Sequence, residues 1–253
     1  MINIIDDDFF KLINELKYLD SEEIYNNIKN NFDSINISIR FEIEKYYGNY
    51  EKCCDEFLKR ANILKENIDD LIILYNNLND YRSKKLLYSY LISIYEFIFL
   101  PLKLSNENSY TSYLDLDIIN NDNDVLVIIN NDINFINNYL NIFKNGYYKI
   151  YVLDNIKQDI VDNYKRVEFI DNIMDVSSLD ISLIKINNNL YENIINLKDI
   201  ISKNLPKLII NLNNIDDLII IPKLIKDINN SYKFYIRAYC SYFNFSNIIL
   251  IAK

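Results

Sequence analysis

A lysine inside an apolar segment is the side chain whose type and position most clearly suggest chemistry. Lys185 lies between Ile184 and Ile186 in a short run of the kind that forms a buried strand. The sequence contains no histidine, so a general base must be Asp, Glu, Lys or Tyr. Lys185 could act as that base or bind a substrate, and a buried ion pair is an equal alternative.

An aspartate that follows another apolar run is a second candidate. Asp154 comes directly after KIYVL at 149–153, which predicts the second strand of a sheet. An acid at the carboxyl end of that strand is well placed to accept hydrogen bonds from ribose hydroxyls. The same carboxylate could instead cap a helix that we predict from about residue 156.

The elements that must position these residues follow from an alternation of short apolar runs and amphipathic segments. This alternation is typical of a parallel sheet with right-handed crossovers. The last two runs are separated only by a polar stretch, so we expect an antiparallel hairpin at the end of the sheet. The pattern predicts strands at 125–129, 149–153, 167–170, 181–186, 207–212, 233–239 and 247–252, with helices at 133–143, 156–164, 191–203 and 216–228.

The first hundred residues have the periodicity of helices, which we predict at 50–64, 68–78 and 81–99. A polar connector at 101–117 separates them from the alternating part. We therefore predict a helical N-terminal region at 1–105 and an α/β domain at 106–253. The tyrosines of the helices are expected to cover the core and its rim, while an aromatic surface that binds a protein partner is the alternative.

Composition and charge exclude several classes of function. The net charge is −9 with acids and bases interspersed, so no basic face for nucleic acid is expected. The longest apolar run, at 88–102, contains Glu96 and Pro101 and is too short to span a membrane. The three cysteines form neither a zinc set nor a disulfide framework, which predicts a cytoplasmic chain without a metal site.

Several segments from residue 80 onward, in the same order and with similar spacing, resemble the FkbM-type methyltransferases that use S-adenosylmethionine (SAM). The resemblance implies a class I methyltransferase-like (Rossmann-like) fold with a mostly parallel sheet, and SAM as the cofactor. SLIKINNNLYE at 182–192 resembles the family's fIKmDIEGaE, LPKLII at 205–210 resembles kPkLai, YKFYIR at 232–237 resembles YkfYlRH, DYRSK at 80–84 resembles DekS, and YYKIYVLD at 147–154 resembles yykiyafEP.

The chain departs from this family where the cofactor would bind. VLVI at 125–128 matches the family's VfVD, so Ile128 replaces the aspartate that ends the first strand, and no glycine follows it. Asn130 and Asn134 stand where the family has glycines that let backbone approach SAM, and Asn187 replaces the first acid of DIEG. The resemblance makes Asp154, Asn130 and Asn187 the candidate cofactor-binding residues. The short segment at 171–177 would also leave out one wall of the pocket.

These departures predict a degenerate member, a pseudoenzyme with weak or no SAM binding that serves as a scaffold or interaction protein through its N-terminal helices. The alternative is an active SAM-dependent O-methyltransferase acting on a hydroxyl of a glycan or small molecule, with Lys185, Asp180 or a tyrosine as base. The first hypothesis expects a crevice filled by Ile128, Asn130, Asn134 and Leu190. The second expects an open, polar crevice.

Overall fold

The structure, a computed structural model, describes residues 2–18, 20, 22–23, 26, 30, 44–45, 48–95, 122–130, 132–142, 147–153, 166–238 and 248–253. Four long helices lie in the described part of the N-terminal region: α1 (Ile2–Tyr18), α2 (Tyr50–Glu66), α3 (Ile68–Asn77) and α4 (Tyr81–Tyr95). The last three begin at the residues predicted from the periodicity.

Seven strands of the described chain form one mixed sheet in the order β3-β2-β1-β4-β5-β7-β6. Strands β1 to β5 are parallel where they pair, and β7 is antiparallel to both β5 and β6. The predicted fold class, including the C-terminal hairpin, is confirmed. The strands are β1 (Asp122–Ile129), β2 (Tyr147–Leu153), β3 (Val167–Ile170), β4 (Leu183–Ile186), β5 (Lys207–Leu212), β6 (Phe234–Ala238) and β7 (Ile248–Ala252).

The crossover helices of the α/β part are α5 (Ile133–Ile142), α6 (Leu190–Asn196), α7 (Lys198–Asn204) and α8 (Ile215–Ile228), and a 3₁₀ turn spans Ile173–Val176. A single helix was predicted at 191–203, but the structure divides it at Leu197 (φ −90°, ψ 0°). Leu197 is buried and continues the apolar periodicity, so the hydrophobic pattern carries no sign of the bend. The predicted helix at 156–164 and the connector at 101–117 lie outside the described residues.

The two faces of the sheet pack into two separate hydrophobic cores, because alternate side chains of a strand point to opposite faces. Leu126 and Ile128 of β1 pack with Phe135 and Tyr139 of α5. Val127 of β1 and its alternating neighbours on the other strands face the larger core, which also contains residues of α6, α7 and α8. No helix in the described part of the chain is long and apolar enough to cross a membrane.

The N-terminal helices belong to this larger core. Tyr75 of α3 is buried, stacks on Phe9 of α1 with ring centroids 3.7 Å apart, and donates a hydrogen bond to Asp6 at 2.6 Å. Lys84 of α4 donates to the same carboxylate at 3.1 Å. These contacts join three helices, whose apolar side chains pack in one cluster with those of the sheet. The predicted boundary at 105/106 lies outside the described residues and stays a prediction.

Candidate functional site

The carboxyl ends of β1 and β4 lie side by side and bring together most of the candidate residues. Ile129 pairs with Ile186 at the end of these parallel strands, so Asn130 and Asn187, each the next residue in its chain, lie at the same edge of the sheet. Lys185 is the residue before Ile186. Three of the five residues predicted from the sequence therefore meet where an open α/β sheet forms its ligand crevice.

The turn after β1 takes a conformation that usually needs glycine. Asn130 has a φ of 63°, in the left-handed region that asparagine tolerates better than most residues. Its backbone N–H donates to the carbonyl of Leu153, the last residue of β2, at 3.1 Å. Asp132 then caps α5, because its carboxylate accepts a hydrogen bond from the N–H of Phe135 at 2.9 Å. Asparagine thus provides the turn that a glycine would otherwise make.

Asn187 bridges the ends of β1 and β4. Its side-chain Nδ2 donates to the Asn130 carbonyl and to Asp132 Oδ2, both at 3.3 Å. Both acceptors are oxygens, so the amide must present its nitrogen to them. Its Oδ1 is then left buried without a hydrogen-bond partner among the described residues. We refer to these two hydrogen bonds as the Asn187 bridge.

Lys185 is fully buried on the α5 side of the sheet, between Ile128 and Ile209 of the neighbouring strands. Its Nζ donates to Asn211 Oδ1 at 2.6 Å, so the group that it bonds is an amide and not a carboxylate. Burial lowers the pKa of Lys185 to about 7, and the negative charge of Asp132 opposes that effect. The sequence left open a general base, a substrate-binding group or a member of a buried ion pair. The geometry shows instead a buried amine bonded to a neutral amide.

Asn211 and Asp132 were not predicted from the sequence to contribute to the site. Asn211 is the single polar residue in the otherwise apolar KLIINL strand after Lys207, and it lies two positions beyond Ile209. Since Ile209 pairs with Lys185 and side chains alternate, Asn211 lies on the same face as the lysine. The pairing of β4 with β5 in this register is the signal that would identify Lys185 and Asn211 as partners. Using it requires that the strand order be known.

The other predicted residues lie elsewhere. Asp180 is exposed and precedes β4, whereas Asn187 follows β4. Asp180 therefore lies at the amino end of the strand, opposite the crevice. Asp154 lies outside the described residues. Ile128 is buried beneath α5, Leu190 lies in the larger core and Asn134 is exposed, so the expected filling of the crevice by these residues stays a prediction.

The described residues around the crevice are polar and partly exposed. Asn130, Asp132 and Asn187 are each half-buried. Within the described ranges no three Asp, Glu or Cys side chains come together as metal ligands. The arrangement therefore offers one carboxylate, two amides and a buried amine.

The strand order, with an antiparallel β7 between β5 and β6, defines a Rossmann-like methyltransferase fold. The chain is similar to the solved structure of the methyltransferase FkbM from Methylobacillus flagellatus KT, with a TM-score of 0.65, 14% identity and 77% of this chain covered. It spans 62% of the length of that protein. At this identity the likeness shows the fold alone, and the predicted methyltransferase-fold relationship is confirmed at that level.

A second solved structure, precorrin-6y C5,15-methyltransferase from Geobacter metallireducens GS-15, matches with a TM-score of 0.44 and 16% identity, over 60% of this chain and 90% of that one. No protein-family model matches the sequence, and no curated protein is significantly similar to it.

Proposed function

We propose that this protein is a methyltransferase-fold scaffold or interaction protein that binds SAM weakly or not at all. The observation that carries this proposal is the Asn187 bridge. The acceptors that it engages, the Asn130 carbonyl and the Asp132 carboxylate, belong to the turn after β1. In proteins of the family that the sequence resembles, this turn faces the methionine end of SAM.

The polar groups of this turn are already used within the protein. The methionine end of SAM carries an ammonium group, which needs oxygen acceptors, and a carboxylate, which needs N–H donors. Asn187 donates to both of these acceptors at 3.3 Å, while the N–H of Asn130 donates to Leu153 at 3.1 Å. These three hydrogen bonds compete with the cofactor for the groups that would hold its methionine end, which supports weak binding. Displacing three hydrogen bonds would cost roughly 3 kcal/mol, which corresponds to a loss of about two orders of magnitude in affinity.

Two observations favour the alternative function, an active SAM-dependent O-methyltransferase. The described residues around the crevice are polar and partly exposed, as this alternative expects. A lysine with a pKa of about 7 has the proton affinity expected of a general base at neutral pH. However, Lys185 is fully buried and its Nζ already donates to Asn211 at 2.6 Å. A base must reach the proton that it removes, so this geometry supports a structural role for the amine.

An interaction role is supported by the surface of the N-terminal helices. Large apolar side chains are exposed on three of them: Phe10 and Tyr18 on α1, Ile73 on α3 and Tyr81 on α4. We propose that these helices contact a protein partner, and that nucleic acid is not bound. Cys53 is a free, buried thiol, which supports a reducing compartment such as the cytoplasm.

Calorimetric titration with SAM and with S-adenosylhomocysteine tests the proposal. We expect no saturable heat for the wild-type protein up to about 1 mM ligand, which corresponds to binding weaker than about −4 kcal/mol. Dissociation constants in the micromolar range would overturn it.

A matched pair of variants tests whether the bridge is the cause. Asn187→Ala removes both hydrogen bonds to the β1 turn, and Asn188→Ala changes an exposed neighbour whose side chain is not part of the bridge. We expect the first variant to bind S-adenosylhomocysteine at least tenfold more tightly than wild type, and the second to behave as wild type. Equal affinities in all three proteins would remove the bridge as an explanation.

A further inference from the structure

The buried amine of Lys185 and the Asn187 bridge lie on the same face of the sheet. The two residues are two positions apart at the end of β4, so their side chains leave the strand on the same side. Helix α5 covers this face, and Asp132, which caps α5, is the carboxylate that Asn187 bonds. The amine, the bridge and the carboxylate therefore form one cluster between the end of β4 and the start of α5.

The hydrogen-bonding capacity of this cluster is not fully used. An ammonium group has three donors, and among the described residues Lys185 Nζ donates to Asn211 Oδ1 alone, at 2.6 Å. Within the same part of the chain, the buried Oδ1 of Asn187 has no hydrogen-bond partner. A partly satisfied buried network is not fixed in one arrangement, so its bonding can respond to the charge on the amine.

Asp132 is the charged group that acts on this amine. Burial lowers the pKa of Lys185 and the carboxylate of Asp132 raises it, which leaves the pKa at about 7. The other titratable side chains described on this face of the neighbouring elements are Tyr139 of α5 and Lys207 of β5. A tyrosine hydroxyl is uncharged near neutral pH, and Lys207 pairs with Leu183 at the amino end of the strands. The charge of Lys185 is therefore coupled to the residue that the Asn187 bridge holds.

We propose that the proton on Lys185 controls the Asn187 bridge, which is stable while the amine is charged and loosens when the amine is neutral. This inference rests on the proposed function, in which the bridge occupies the β1 turn. The ammonium attracts the carboxylate of Asp132 and keeps it towards β4, where Asn187 donates to it. When the proton leaves to solvent, the carboxylate retains only neutral donors, the N–H of Phe135 and the Asn187 amide. Because Asp132 is half-buried, it can then turn towards water.

A pH titration of the Asn187 side-chain amide by nitrogen-15 NMR tests the proposal without any ligand. Between about pH 6 and about pH 8.5 we expect its signals to move in a single step with a midpoint near 7, together with the carbon-13 signal of Lys185 Cε. Lys185→Met keeps the volume of the side chain and should abolish the step at Asn187. Lys203→Met, at an exposed position, is the matched control and should titrate as wild type does. A wild-type Asn187 signal without a step, or the same step in Lys185→Met, overturns the proposal.

Hydrogen exchange at Phe135 shows whether the β1 turn loosens, because Asp132 accepts the bond from this N–H. The protection factor, which corrects for faster intrinsic exchange at high pH, should fall by about fivefold across the same step. A constant protection factor would contradict a loosened turn.

Asp132→Asn removes the charge but can still cap α5, and it serves if Lys185→Met does not fold. We expect it to lower the midpoint of the Lys185 Cε titration by about one pH unit, because the amine loses the carboxylate that favours its charged form. An unchanged midpoint would overturn the coupling. Since no ligand is present in these measurements, their failure would leave the proposed function to be judged by the S-adenosylhomocysteine titration alone.

Discussion

The polar residues at the carboxyl ends of β1, β4 and β5 are bonded to one another within the protein. Lys185 bonds Asn211, and Asn187 bonds the turn that contains Asn130 and Asp132. Each contact joins two strands or a strand and a helix start. At the scale of single residues, the polar side chains at the crevice therefore connect neighbouring strands and the start of α5 to one another.

The buried amine of Lys185 makes stability depend on pH. Burial lowers its pKa from the ordinary 10.5 to about 7, so between these values the unfolded chain binds more protons than the folded one. Stability from this group therefore rises with pH through that window. We expect the free energy of unfolding of the wild type to increase by about 1–2 kcal/mol from pH 7 to pH 8.5.

Urea denaturation at the two pH values measures this increase. Lys185→Met keeps the volume but not the charge, and should lose most of the rise, whereas Lys203→Met, at an exposed position, should retain it. The same rise in Lys185→Met as in wild type would contradict a titrating buried amine.

The sequence revealed Lys185 because a charge in an apolar run is visible without a structure. Its partner Asn211 and the contact of Asn187 with Asp132 were not visible, because each depends on which strands are neighbours and in what register. The same holds for the ion pair between Asp80 and Arg237, whose residues lie in the distant segments DYRSK and YKFYIR. Pairs that are distant in the chain become predictable only once the sheet order is known.

At the scale of elements, the scarcity of glycine affects the turns. Asn130, Asn189 and Leu205 all have positive φ values, at 63°, 47° and 48°. Asparagine tolerates this conformation, but leucine pays a steric cost because its Cβ approaches the following carbonyl. Leu205 ends α7 and is 49% exposed, so its side chain makes little compensating contact.

Leu205→Gly should therefore stabilise the protein by about 0.5–1 kcal/mol, because glycine adopts a positive φ without steric cost. Denaturant unfolding measures the change. Leu205→Ala is the control, since alanine keeps the Cβ and should leave most of the strain in place. Equal stability of the glycine and alanine variants would show that the positive φ carries no cost here.

The hydrophobic pattern predicted the bounds of several elements correctly. Strand β5 and strand β3 have the predicted bounds, and the start of α5 is also as predicted. The bend at Leu197 was missed, because it occurs at a buried leucine and not at a glycine or proline. Periodicity shows which side chains are buried, and it is insensitive to a local change of backbone direction.

At the scale of the whole molecule, the N-terminal helices and the sheet share one core. Leu71 and Tyr75 of α3 and Leu87 of α4 belong to the same cluster as Phe234 and Ile236 of β6. The helices also meet the outer edge of β6, where Ser83 accepts a hydrogen bond from the N–H of Ile236 and Asp80 accepts one from Arg237. Removing them would expose both an apolar face and a strand edge.

A chain truncated to residues 106–253 should therefore lose cooperative unfolding and bind a hydrophobic dye, because the larger core is left open on one side. Circular dichroism during urea unfolding and dye fluorescence measure these properties. A truncated chain that unfolds cooperatively without dye binding would contradict the shared core and would favour two independent domains.

The most direct test of the central claim is the nitrogen-15 NMR signal of the Asn187 side-chain amide while S-adenosylhomocysteine is added. The Asn187 bridge occupies the acceptors of the β1 turn, so we predict that the amide signals keep their positions and intensities up to about 1 mM ligand. Saturable shifts of these signals at micromolar ligand would contradict the account, since the cofactor product would then displace or join the bridge.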